Sequence, residues 1–116
     1  MSQPRTVRVY WGRFKGRQNF NYNWDIITAR SVVHIAACEY TPAAGPVFSG
    51  PPPDPAPTPW VTGAANITVH GICPHSNPNG VGFIVTVDWD QPLPIVTDIT
   101  VFDVPETVDL GGLVNA

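Results

Sequence analysis

The sequence predicts an all-β protein, a single antiparallel β-sandwich or small jelly roll of six to eight strands, and three observations lead there. Only 13% of the 116 residues are charged, too few Glu, Lys and Arg to cover long exposed helices. Apolar residues recur with period two along most of the chain, the spacing that gives an extended strand one buried face. Turn residues interrupt these runs every eight to fifteen positions, with 14 prolines and 10 glycines in all, which is the rhythm of short antiparallel strands.

The elements follow in order. Val7, Val9 and Trp11 alternate with Thr6, Arg8 and Tyr10 and predict a first strand ending at Gly12. Gly12 to Gly16 then reads as a short hairpin loop carrying basic residues. In Asn19-Phe20-Asn21-Tyr22-Asn23-Trp24 an extended backbone places three asparagines on one side and three aromatics on the other.

Residues 26–40 fit two descriptions. Ile27, Ala29, Val33, Ile35 and Ala37 share strand parity, whereas Asp25 is also a good N-cap for a helix. The β-branched content favours the strand. Residues 42–59 hold eight prolines and no cation, so they cannot donate the hydrogen bonds a sheet interior needs, and a proline-rich loop within one domain, 1–116, is expected. Pro51-Pro52-Pro53-Asp54-Pro55 also has the texture of a proline-rich peptide ligand, without the flanking cation that such ligands usually carry.

Ile67, Val69, Gly71 and Cys73 share one parity, as do Val81, Phe83, Val85, Val87 and Trp89, and Ser76-Asn77-Pro78-Asn79-Gly80 lies between the two runs. Asn-Gly flanked by alternating strands signals a hairpin, because both residues tolerate positive φ. A strand from Ile95 to Val104 follows, closed by Pro105, and Thr107 to Leu110 is a candidate for a short edge strand.

Charge is distributed unevenly. The first 24 residues carry five cations and no acid, while residues 25–116 carry Arg30 against nine acids. A basic, aromatic front end of this kind suits a polyanion or the acidic body of a second copy. Arg13, Lys15 and Arg17 are therefore the expected interaction residues. No apolar run has the length of a secretory or membrane-spanning segment, so a cytoplasmic, non-membrane protein is the default expectation, with a mature secreted chain the alternative.

For chemistry, His34, Cys38, His70, Cys73 and His75 are the N/S ligand candidates for zinc. Their spacing matches no standard finger or ribbon, and strand parity sends His70 and Cys73 to opposite faces. Both cysteines are then expected as small core residues, bridged or not. Asp88, Asp90, Asp98, Asp103, Glu106 and Asp109 could supply oxygen to calcium, again without a recognised loop pattern. Neither a nucleophile elbow nor a glycine-rich phosphate loop is present, so no cofactor and no catalytic residue is assigned.

The resulting expectation is a non-enzymatic interaction module that self-associates, forming a homo-oligomer, or binds a ligand. A lectin-like carbohydrate site would draw on Tyr22, Trp24, Trp60, Asn21 and Asn23, whose rings and amides suit a glycan. Single-stranded nucleic acid is a further alternative, with the acidic remainder arguing against it, and a small metal-dependent enzyme is the last. Asn66-Ile67-Thr68 has the form of a glycosylation sequon.

Overall fold

The computed structural model describes residues 3–42 and 58–111, with the backbone alone for Thr58 and Pro59. Among these residues seven strands run in order as β1 (Arg5–Phe14), β2 (Gly16–Asn23), β3 (Val32–Thr41), β4 (Thr58–Val61), β5 (Asn66–His75), β6 (Gly80–Asp88) and β7 (Leu93–Phe102). They form two antiparallel sheets, β1-β7-β3-β4 and β2-β6-β5. This is the all-β sandwich that the alternation predicts. Most of the proline-rich stretch, including Pro51–Pro55, lies outside the described residues.

The core lies between the sheets because each strand gives it one parity. Val81, Phe83, Val85 and Val87 of β6 are buried, and so are Ile95, Ile99 and Val101 of β7. In β2, Phe20 and Tyr22 pair with Phe83 and Val81 and turn inward, while Asn19, Asn21 and Asn23 pair with Ile84, Gly82 and Gly80 and turn outward. The aromatic and amide faces are thus separated as the alternation requires. Trp11 stacks on Phe20 with centroids 4.6 Å apart, and its indole Nε1 donates to the buried Thr97 hydroxyl at 2.8 Å.

Several local expectations are corrected. Gly12 to Gly16 does not turn a hairpin: β1 pairs with β7 and β2 pairs with β6, so the chain changes sheet across Lys15 alone. Gly16 (φ 72°) supplies a left-handed conformation at that bend, Gly12 (φ 95°) supplies one at a β-bulge inside β1, and β1 runs on to Phe14 rather than ending at Gly12. Folding over in this way lets the inward residues of both strands cover each other, which a flat hairpin could not do.

The segment 26–40 is a strand only from Val32. Ahead of it the chain turns, with Ile27 N–H donating to Trp24 O and Ser31 N–H to Thr28 O, and Ile27 is fully buried there. Thr107 to Leu110 forms no strand and joins neither sheet. A β-bulge between His70 and Cys73, with Gly71 at φ 62°, inserts one residue opposite β6. The inserted residue reverses the parity, so Cys73 pairs with Gly82 on the outer face, the face His70 also occupies, instead of sharing the inner face with Val69.

The same logic removes both cysteines from the core. Cys38 is half-buried opposite Val96, its thiol donating to Val61 O at 3.2 Å, and Cys73 is exposed; both are free. They stand on the outer faces of different sheets. Face-to-face sheets sit about 10 Å apart, beyond the reach of a disulfide.

Candidate functional site

The clearest concave feature is the open mouth of the sandwich at the β1–β2 bend, a cleft of about 860 Å³. Ala37 and Glu39 of β3, Ile67 of β5 and Val87 of β6 have inward parity and line the space between the sheets. Lys15, Thr62, Gly63, Asn66, Asp88 and Trp89 border it. The cleft exists because β6 stops at Asp88 while β4 and β5 are joined by the small residues Gly63, Ala64 and Ala65. No large side chain from that link fills the opening.

Trp89 was expected to continue the buried face of β6. Instead the strand ends one residue earlier, Trp89 N–H turns back to Val87 O, and the indole is 42% exposed. A tryptophan this open beside carboxylates and an ammonium gives the site a flat apolar face next to charged hydrogen-bonding groups. Lys15 and Asp88 are neighbours there, because Gly16 pairs with Val87. The acids and bases that are separated in sequence thus meet at this end of the molecule.

The other predicted residues are distributed elsewhere. Tyr22 and Trp24 are half-buried, packed on the core and on each other at 6.2 Å, with the Arg5 guanidinium 5.7 Å from the Trp24 ring. Asn21 and Asn23 lie on the opposite face of β2, where Asn21 Nδ2 donates to Asn23 Oδ1 at 2.7 Å. His75 is held beside them, Nε2 2.6 Å from Asn21 Oδ1 and Nδ1 2.6 Å from Pro78 O. These amides brace the β5–β6 turn.

Trp60 stands apart from Trp24, on the outer face of the four-stranded sheet. It is the inserted residue of a bulge in β4 and holds φ 64°, a strained conformation for an aromatic residue. Its ring lies 5.4 Å from the Arg8 guanidinium, which forms a two-pronged ion pair with Asp98 at 2.7 and 2.8 Å. That hydrogen-bonded pairing holds Arg8 firmly protonated, its pKa raised above an already high value. Tyr10 and Tyr40 meet edge to face at 4.9 Å on the same surface.

Arg13, Lys15 and Arg17 are exposed around the bend. The metal candidates divide: His34 and Cys38 lie on the outer face of one sheet, His70 and Cys73 on that of the other, and His75 at the far turn. Among the described residues no three His, Cys, Asp or Glu side chains gather as a metal site, and no helix is long and apolar enough to cross a membrane.

Sequence reasoning missed Glu39 and Trp89 as site residues. Asp88-Trp89-Asp90 ahead of Pro92 was the available signal, since a tryptophan between two acids and before a proline sits poorly inside a buried strand. Comparison with family models, with curated proteins and with solved structures found no match.

Proposed function

We propose that this protein is a non-enzymatic binding module that takes a saccharide in the cleft at the β1–β2 bend. The exposed indole of Trp89 at the mouth of that cleft carries the reading. A sugar ring offers an apolar face of C–H groups and a rim of hydroxyls. Trp89 suits the first, while Lys15, Glu39, Asp88 and Asn66 supply donors and acceptors for the second. The volume falls within the roughly 300–1,000 Å³ typical of small-ligand sites.

The expected result is glycan binding by the intact protein on a printed array, followed by calorimetry with the best oligosaccharide. Trp89→Ala should weaken that binding tenfold or more, a loss of about 1.4 kcal/mol or greater, and Asp88→Asn should alter which sugars bind. A protein that binds no glycan at millimolar concentration, or whose affinity survives Trp89→Ala, would refute the assignment.

A further inference from the structure

Residues 103–110, Asp-Val-Pro-Glu-Thr-Val-Asp-Leu, leave β7 in a chain that joins neither sheet. Val104, Val108 and Leu110 are 50%, 76% and 53% exposed. Three large apolar side chains exposed on one short segment mark a surface that seeks a partner. An extended backbone places Val104, Val108 and Leu110 on one side, interrupted by Glu106, and Pro105, Thr107 and Asp109 on the other. The segment has the pattern of a strand and lacks a sheet.

A matching vacancy exists at the β1 margin of the four-stranded sheet. β1 is its terminal strand, ten residues long, paired with β7 on one side and with no described strand on the other. Its inward residues, Val7 and Val9, are only partly covered and pack against the core from the rim. Arg8 and Arg13 occupy its outward parity, opposite Asp98 and Pro94. Of the other described edges, β4 has four residues, one of them Pro59, and β5 is interrupted by its bulge and Pro74; such features blunt an edge. β2, the other edge of the three-stranded sheet, is shorter than β1 and carries Arg17 as its one charged side chain.

We infer that the protein self-associates by strand addition, residues 103–110 of one copy pairing along the free edge of β1 in a second copy. Val104, Val108 and Leu110 then extend the inner apolar face beside Val7 and Val9, while Asp109, of the opposite parity, comes to the arginines of β1. Main-chain hydrogen bonds supply affinity and the alternating side chains set register. The opposite charges favour the encounter and make it sensitive to salt. Reciprocal exchange closes a dimer, and one-way exchange builds longer chains.

Sedimentation equilibrium of the full chain, from micromolar to millimolar protein, tests this surface independently of the cleft. The weight-average mass should rise above 12.6 kDa with concentration and fall back with added salt. Val108→Asp with Leu110→Asp should weaken association at least tenfold, and so should Arg13→Glu, with circular dichroism unchanged in each. Mixing the Arg13→Glu protein with an Asp109→Lys protein should restore association between the two. A chain that stays monomeric throughout, or association that survives both the paired Asp substitutions and Arg13→Glu, would overturn the inference.

Discussion

Replacing Thr97 by Val tests the one polar side chain that, among the described residues, is sealed into the core. Thr97 is fully buried, and its hydroxyl accepts the Trp11 indole N–H at 2.8 Å, so β1 and β7 are joined by a side-chain hydrogen bond in addition to their ladder. Valine has nearly the same shape, so no cavity forms. The indole N–H loses its acceptor, a cost of about 1–3 kcal/mol, with the lower half applying because Trp11 is only half-buried. The methyl group that replaces the hydroxyl offsets about 0.8 kcal/mol. The net destabilisation is therefore about 0.2–1.2 kcal/mol, or a fall in melting temperature of roughly 1–6 °C for a domain of this size.

The assay is urea unfolding followed by circular dichroism, for wild type, Thr97→Val, Trp11→Phe and the double variant. If the two groups act through their bond, the double variant should be less damaged than the two single losses combined, by about 1 kcal/mol. Slopes of the unfolding curves should not change, since the buried surface is the same. Thr97→Val proteins as stable as wild type, together with additive losses in the cycle, would show that the bond contributes nothing and that the placement of Trp11 rests on stacking against Phe20 alone.

Two further outcomes can be checked in the same experiment. Gly80→Ala should be among the most damaging small substitutions, about 2 kcal/mol or more, because the added Cβ would lie 2.6 Å from Tyr22 O and 2.8 Å from Asn23 Cα and would force β2 from β6; a stability within experimental error of wild type would contradict that contact. Arg8→Lys should cost no more than about 1 kcal/mol, since the pair with Asp98 is partly open to solvent, and the difference should shrink in molar salt. A larger, salt-insensitive loss would mean that stacking on Trp60 outweighs the ion pair.

Asn19 to Trp24 shows how much a local pattern carries. Six alternating residues predict one amide face and one aromatic face, and β2 has both. The β5–β6 hairpin was legible from the alternation on either side of Ser76–Asn79, but its positive-φ residue is Asn77 (φ 56°) and not Asn79 or Gly80, which opens β6. β1 shows the limit. Its strand character is written in Val7, Val9 and Trp11, yet nothing local says that it pairs with β7, ninety residues away, rather than with β2. The bulges at Gly71 and Trp60 are of the same kind, since an extra residue is defined only against a partner strand.

Charge makes the same division visible. The amino-acid order alone segregates bases from acids along the chain, and it determines strand character and, where no bulge intervenes, the apolar face of a strand, because those depend on residues one or two apart. Only the tertiary structure decided that Arg8 lies across from Asp98, that Lys15 neighbours Asp88, and that Trp89 opens onto a cleft instead of closing the core. Sheet membership is chosen by burying the inward faces of all seven strands at once, and that collective requirement has no signature in any short stretch of sequence.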